Sequence, residues 1–572
     1  MSTTWVPGVN AVRTYERRWL PRDVMTGLVL SALLVPQGMA YAELAGLPAV
    51  TGLYTSILCL IGYAIFGPSK VLVLGPDSSL GPMIAATILP LAGADGDPAR
   101  AVALASLLAI FTGVIMVGAG AGKLGFVADL LSKPTILGYM NGLALTIIVG
   151  QLPKLLGFSV DADGFIGELL GFVSGLVSGE SLPAAAAIGL ASLLLILALN
   201  RWLPKIPSVL IAVLFAMAMS ALFDLGELGV KLVGVLPQGL PSFTIPSVEL
   251  SDLLPIVGGA LGIALVALTD TISTATSFAS RRGEEVDGDR EMIGIGASNI
   301  AAGFFQGFPV STSGSRTAVA DQAGGKTQLT GLVGAAVIAV MLVAVPGLFA
   351  SLPQPTLGAV VVVAAFSLAD IPATRRLWSQ RRTDFVLSMT AFLGVVLLGV
   401  LPGIALAVMM SVANVFRRVW RPYQAELGKV PGLRGLHDVT RFPVVSRLPA
   451  AAILRFDAPL IFANSGTFRD RVRGLAKDLP EAGWVIIAAE PITDVDTTAC
   501  DMLDDLVAEL DQRNRRLVFA EMKDPVRAKL ADYDLDPAIP EDHFFPTLSE
   551  AVKACREATG QDWLTQPKKE LT

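Results

Sequence analysis

Hydroxyls, one arginine and an interrupted backbone stand together in the stretch Phe308–Thr317, which reads FPVSTSGSRT. Pro309 and Gly314 break it, Arg316 is its only charge, and it lies between the apolar runs 293–308 and 329–349. An irregular polar segment at membrane depth is tolerated only where it is buried in protein or lines a watery cavity. Backbone N–H groups, serine hydroxyls and a guanidinium are all donors, so the chemistry open to this stretch is the binding of an anion.

A counterpart lies in the first half. The stretch 71–82, VLVLGPDSSLGP, is again an apolar run, a Gly-Pro break and then hydroxyls. Both stretches read as a brief strand leading into a half-length helix, with Ser78, Ser79 and Ser315 near the helix starts. Half-helices in corresponding places of two halves point to a transporter's substrate site, and their free N–H groups and positive dipole ends suit an anion.

The elements that must position these residues follow from composition. Of 572 residues, 53% are hydrophobic and 16% charged, with mean hydropathy +0.62, which excludes an ordinary soluble domain and indicates a polytopic membrane protein. Cys59, Cys500 and Cys555 are far apart, show no disulfide or metal pattern and point only to a reduced cytosolic side. The two histidines, His437 and His543, lie outside the apolar region, which excludes a histidine-based catalytic centre in the membrane. The net charge of -6 says little, because charge here matters by location. Residues 1–23 are polar and basic, with no cleavable signal peptide.

Arg13, Arg17, Arg18 and Arg22 precede a first span at 24–45, placing the start in the cytoplasm by the positive-inside rule. Further apolar runs at 49–66, 71–90, 101–121, 126–152, 182–200 and 206–223 complete seven passages. A second set runs at 254–279, 291–308, 310–322, 328–350, 353–369, 384–400 and 401–417. Lys123, Arg201 with Lys205, Arg281 with Arg282, Lys326, and the cluster Arg375, Arg376, Arg381 and Arg382 then fall on the cytoplasmic side. Acidic loops with Asp95 and Asp97, Asp161 and Asp163, and Asp224 and Glu227 fall outside. An odd number of passages per half gives inverted repeats, about 24–223 and 254–420, in which the third span corresponds to the tenth.

After residue 420 the character changes. Residues 421–448, with Pro422, Pro431, Gly432 and Gly435, read as a polar linker, 449–562 as a soluble cytosolic domain and 563–572 as a polar tail. Strand-like runs 451–456, 484–489 and 516–521 alternate with helical runs 467–477, 497–512, 525–531 and 548–559, which predicts an α/β domain.

Several motifs together resemble one family. VPQGMAYA at 35–42, AGLP at 45–48, GLY at 52–54, Gly75-Pro76, Phe308-Pro309, SRT at 315–317 and AGGKT at 323–327 are similar to the SulP (sulfate permease) family of anion transporters. APLIFAN at 458–464 and DVDTT at 494–498 resemble the STAS domain those proteins carry. The resemblance implies core and gate domains, an elevator movement, a homodimer in the plasma (bacterial inner) membrane with both termini cytoplasmic, and an anion held between the half-helices. Carried over by position, it implies a substrate site of Gln37, Tyr41, Asp77, Ser78, Gly314, Ser315 and Arg316, with Asp270 as the coupling acid. The family more often has glutamate at position 270, which leaves the coupling ion open between H+ and Na+.

The residues carry physical arguments of their own. An acid inside a span is a functional candidate by default. Asp270, with Thr274 one turn on, could ligate Na+ with oxygen, carry a proton, or pair with Arg316. Asp77 caps a helix start or faces the substrate; in the second case it repels an anion unless protonated or bridged by a cation. Arg316 balances a divalent oxyanion or satisfies helix carbonyls, and Ser315 contacts the anion or caps its helix. Gln37, beside Pro36, falls where the first span should be interrupted, and its buried amide needs partners.

Other signals are discounted. Gly324–Thr327 lacks the strand and upstream glycine of a phosphate loop. Positive-inside topology explains Arg375–Arg382, although such a cluster also suits anionic membrane lipid. Thr498 reads as a helix start rather than a phosphorylation site. The function expected is secondary active transport of a small anion, sulfate first, with bicarbonate or a C4-dicarboxylate as alternatives. A channel-like or regulatory member, its STAS domain contacting a cytosolic protein, is the other class. Nothing suggests an enzyme, a resident cofactor or a nucleic-acid partner.

Overall fold

In the computed structural model, which describes residues 6–93, 97–125, 132–160, 162, 164–203, 206–280, 282–533 and 539–567, a helix stands at each of the passages read from the sequence. Eight of the described helices are long and apolar enough to cross a membrane. Asp95, Asp161, Asp163, Lys205 and Arg281, used above to orient the loops, lie outside the described residues, as do 126–131 and 568–572. The chain divides into two units, Met1–Val412 and Ala413–Thr572.

The first half of the membrane unit comprises α1 (Pro7–Arg13), α2 (Leu20–Leu44), α3 (Ala49–Phe66), the short strand β1 (Leu74–Gly75), α4 (Gly81–Ala92), α5 (Pro98–Ala121), α6 (Lys133–Leu156), α7 (Gly164–Val177), α8 (Pro183–Trp202) and α9 (Ser208–Phe223). The second half repeats that order: α10 (Leu253–Ser280), α11 (Gly288–Phe304), β2 (Ser311–Thr312), α12 (Gly314–Gln322), α13 (Leu329–Ala344), α14 (Gln354–Leu368), α15 (Ile371–Gln380), α16 (Arg382–Leu398) and α17 (Val400–Trp420). Helices α7 and α15 occupy equivalent places and replace two expected loops. The apolar α7 is too short to cross unaided, and α15 is started by Asp370, which accepts the amide of Ala373 at 2.9 Å.

Two bundles form. Helices α2 to α5 pack with α10 to α13, and α6, α8 and α9 pack with α14 and α16. Without water to drive helices together, close approach depends on small residues. At Gly138 a Cβ would lie 1.8 Å from the Ser388 carbonyl oxygen, so only glycine lets α6 meet α16 there.

Two buried amides fix the segments that lead into the short strands. Asn299 accepts from the Val310 amide at 2.9 Å and donates to the Val310 carbonyl at 3.2 Å, holding the chain just before β2. Gln328 donates to the carbonyls of Ser69 at 2.8 Å and Leu72 at 2.9 Å, holding the chain just before β1. The loop Gly324–Thr327 is tied down by the buried Asp23, which accepts from the Lys326 amide at 2.7 Å and the Thr327 hydroxyl at 2.8 Å. Its work is structural.

The second unit corrects the reading of 421–448 as linker. That segment contains β3 (Gln424–Lys429), β4 (Leu436–Asp438) and β5 (Val444–Arg447). They are followed by β6 (Ala451–Phe456), α18 (Ser465–Asp478), β7 (Trp484–Ala488), α19 (Thr497–Gln512), β8 (Arg516–Ala520), α20 (Asp524–Asp532), β9 (Phe544–Phe545), α21 (Leu548–Thr559) and β10 (Leu564–Pro567). The sheet order is β10-β5-β3-β6-β7-β8-β9, with β4 on β3. Strands β6 to β9 are parallel, and every residue of β7 is buried, as expected for a strand covered on both faces. Strand β3 buries Ala425 and Leu427 between polar neighbours, a period of two that the flanking prolines and glycines hid. Asp496, not Thr498, caps α19, accepting from Ala499 at 2.8 Å, because an aspartate beside the threonines is the stronger cap. The three cysteines are buried and unpaired, and burial pushes the Cys500 and Cys555 thiols up to about 11.

Replacing Asn299 by leucine leaves the amide and carbonyl of Val310 without their partner, at a cost of about 1–3 kcal/mol for each buried group left unpaired. A thermal scan of the detergent-solubilised protein is expected to show a lower unfolding temperature. An unchanged temperature would mean that Asn299 does not hold β2.

Candidate functional site

The two stretches singled out in the sequence meet. Strands β1 and β2 pair antiparallel, Leu74 opposite Thr312 and Gly75 opposite Ser311. The amide of Ser313 donates to the Val73 carbonyl at 3.1 Å, and the amide of Val73 donates to the Thr317 hydroxyl at 3.1 Å. The opposed strands carry the chain in opposite directions into α4 and α12, the geometry of inverted repeats.

A cavity of about 920 Å³ opens beside this crossing, and Gln37, Tyr41, Asp77, Ser78, Asp270, Thr274, Gly314, Ser315 and Arg316 all line it. Every one of the nine comes from the bundle of α2 to α5 and α10 to α13. The facing wall, from the other bundle, is mostly apolar, with Val209, Val360, Val363 and Leu368. Gly314 and Ser315 open α12 and are exposed toward the cavity. The Ser315 hydroxyl shares a hydrogen bond with that of Ser313 at 3.1 Å, and Ser313 makes no side-chain cap. The first amides of α12 are thereby free to donate.

Arg316 is the unusual residue. Its side chain is 1% exposed, yet none of its guanidinium nitrogens has a hydrogen-bond partner among the described residues. The carboxylate near it is that of Asp77, with Oδ1 3.9 Å from Nη2, beyond hydrogen-bond range. The pairing of Arg316 with Asp270 considered from the sequence is therefore not what the fold builds. The guanidinium lies against Gly75 of β1, where a Cβ would stand 2.9 Å from Nη1. A buried guanidinium with a long ion pair and no hydrogen bond among the described residues, beside free helix amides, suits an anion.

Asp77 does two things. Its Oδ2 accepts from the Ser79 amide at 3.0 Å and the Ser79 hydroxyl at 2.6 Å, shaping the turn before α4, while its other oxygen faces Arg316. The same Ser79 hydroxyl lies 3.2 Å from Oδ2 of Asp270. One hydroxyl proton cannot serve both carboxylates, so the pair shares a single donor. Ser79 was near the sequence-predicted site but not in it; the serine pair marked the turn, and which hydroxyl points between the acids depends on the turn's geometry. The apolar wall had no sequence signal of any kind.

Gln37 lines the cavity, but the interruption expected beside it is absent. Helix α2 runs unbroken from Leu20 to Leu44 with Pro36 inside it, a tolerance that packed neighbours give to proline in membrane helices. Where α2 ends, a second cavity of about 380 Å³ lies on the same bundle interface, lined by Glu43, Lys154, Leu236 and Gln354. There Lys154 donates to the Glu43 carbonyl at 3.5 Å.

The chain's similarities agree with this geometry. Residues 20–391 match the profile of the sulfate permease family, and residues 442–551 match that of the STAS domain. A probable sulfate transporter of Mycobacterium tuberculosis is 42% identical over 556 residues, covering 97% of this chain and 99% of the relative. Sulfate transporter 1.3 of Arabidopsis thaliana is 30% identical over 576 residues, covering 96% and 87%. Among solved structures, the murine Solute Carrier 26 family member A9 anion transporter in the inward-facing state superposes with a TM-score of 0.88 at 24% identity, covering 97% of this chain and 96% of that one. The transmembrane domain of a cyanobacterium bicarbonate transporter gives 0.59 at 21% identity, covering 70% and 98%. The two structures share the fold.

Gly75→Ala tests the guanidinium's seat. The added methyl displaces Nη1, and sulfate is expected to protect the variant from thermal unfolding at least about tenfold less effectively in concentration, equivalent to about 1.4 kcal/mol. Equal protection would show that the position of Arg316 does not matter to anion binding.

Proposed function

The chain belongs to the sulfate permease family, and on that premise we propose that it is a secondary active transporter of sulfate, coupled to H+ or Na+ through Asp270. The observation that carries this reading is the buried guanidinium of Arg316, which makes no hydrogen bond among the described residues and only a long ion pair with Asp77, at the wall of a cavity lined by helix-start amides. A tetrahedral dianion offers that donor set the acceptors it lacks.

Charge balance supports the coupling. With Asp77 and Asp270 ionised, the site carries one positive and two negative charges, and a dianion brings it to three net negative charges. The starts of α4 and α12 offset about half a charge each. The remainder is costly in a site walled by apolar residues unless cations enter with the anion. Asp270, sharing one hydroxyl with Asp77, is the acid left to take a proton or a Na+, with Thr274 beside it on the cavity wall. A passive pore has no use for that arrangement.

The place of the donors supports the proposed mode of movement. All nine site residues belong to one bundle and face an apolar wall of the other, so the bundle can carry its ligand along that wall. The cavities at the two ends of the interface suit alternating access by an elevator movement. Placement in the plasma membrane, both termini cytoplasmic, and a homodimeric state rest on loop charge and on the family resemblance.

Labelled sulfate uptake into proteoliposomes, under separate pH and Na+ gradients, tests the reading. One gradient is expected to drive uptake, and Asp270→Asn to abolish that drive. Arg316→Gln removes hydrogen bonds to a charged ligand worth about 1.5–3 kcal/mol and is expected to raise KM by one to two orders of magnitude. If bicarbonate or fumarate is carried and sulfate is not, the substrate assignment falls; if neither gradient drives uptake, the coupling falls.

A further inference from the structure

The second bundle brings little charge to the space between the bundles. The polar residues it adds to the large cavity, Asn200, Ser208 and Ser367, are all neutral. The Ser208 hydroxyl already donates to Oδ1 of Asn200 at 2.6 Å, and the Ser367 hydroxyl to the Ala364 carbonyl at 2.6 Å. At the second cavity, of about 380 Å³, the same bundle places a cation, Lys154, in the last turn of α6. Among the described residues lining either cavity, it is the charged side chain that this bundle contributes.

The ammonium of Lys154 is loosely held. It donates to the Glu43 carbonyl at 3.5 Å, long for such a bond, and forms no salt bridge among the described residues, although the Glu43 side chain lines the same cavity. The Glu43 carbonyl belongs to the last turn of α2, so the C-terminal ends of α2 and α6, both negative dipole ends, favour a cation here. An ammonium has three donors, and one long bond leaves it able to take an anion.

Helix α2 ties this lysine to the anion site. It carries Gln37 and Tyr41 of that site as well as Glu43, and Gln37 stands about 9 Å before Glu43 along the helix at 1.5 Å per residue. The turn at 45–48 follows the first passage from a cytoplasmic start, which puts the Lys154 cavity at the outer face by loop charge. We propose that Lys154 receives the anion at the outer face. Displacement of the site-bearing bundle outward by about that helix length takes the Glu43 carbonyl away from the ammonium and brings Gln37, Tyr41 and Arg316 level with it. One lysine then serves α2 in one position of the bundles and the anion in the other. At the inner face the second bundle offers the anion only neutral groups, so capture is strong outside and release is easy inside. This role rests on the anion transport and bundle movement proposed above.

Lys154→Cys removes the ammonium, and aminoethylation of the new thiol restores one on a side chain of lysine's length; the native cysteines are buried. Labelled sulfate uptake by whole cells gives the KM at the outer face, and uptake by inside-out vesicles gives it at the inner face. The outer KM is expected to rise at least about tenfold in Lys154→Cys, with the inner KM changed by less than about twofold. Aminoethylation is expected to return the outer KM to the parent value, and a neutral methylthio cap to leave it high. Should Lys154→Cys fail to fold, Lys154→Met, which keeps the stem, carries the same expectation for the two KM values. An unshifted outer KM, an equal shift at both faces, or recovery with the neutral cap overturns the capture role while leaving transport itself in place. If the parent carries another oxyanion instead of sulfate, the same measurements with that anion decide; a parent that carries no anion overturns the transport reading, and the capture role with it.

Discussion

The site depends on the antiparallel crossing of Leu74–Gly75 with Ser311–Thr312. Two residues per strand cannot hold a sheet by themselves. This one persists because its flanks are clamped: Gln328 holds the chain before β1, Asn299 holds the chain before β2, and the Thr317 hydroxyl takes the Val73 amide. Once the crossing is fixed, the starts of both half-helices are fixed with it, and the missing Cβ of Gly75 makes the slot into which Arg316 fits. Backbone geometry, more than hydrogen bonding, explains how a cation stays buried with only a long ion pair to Asp77.

The acids are arranged by the same frame. The turn that ends β1 places Ser79 between two carboxylates, one from its own segment and one from α10. The Ser79 amide also serves Asp77, so Asp270, which has only a share of the one hydroxyl proton, is the acid that the proposed coupling would supply with a cation. The donors at the half-helix starts and the two acids are thus products of one folded crossing, which on the proposed coupling would tie the two ligands together without any long-range signal.

Much of this was legible in the sequence because a membrane makes polar residues conspicuous. FPVSTSGSRT and GPDSS stood out against apolar runs, and Asp270 stood out in its span for the same reason. The long helices were legible from their hydropathy. What failed had physical causes as well. Pro36 predicted a broken helix, and packing around α2 kept it whole. Ser78 lines the cavity, but the place of Ser79 between the two acids turned on the rotation of one turn, which no periodicity encodes. Strand β3 alternates over only a few residues between proline and glycine, and the second bundle's wall of Val209, Val360 and Val363 looks like any other apolar surface.

That plain apolar wall has its own physical consequence. Hydrophobic contact is non-directional, so a bundle displaced along such a wall exchanges one set of apolar neighbours for another with little loss. Directional bonds across the interface would resist the movement. Among the described residues, a side-chain bond that crosses it, from Lys154 to the Glu43 carbonyl, is long at 3.5 Å and lies at the second cavity. Within the site-bearing bundle the opposite holds: the bonds between Ser79 and Asp77, Val310 and Asn299, and Gln328 and Leu72 are short and directional. Strong bonds inside the site-bearing bundle and weak ones at its boundary would keep the binding site intact through the bundle displacement proposed above.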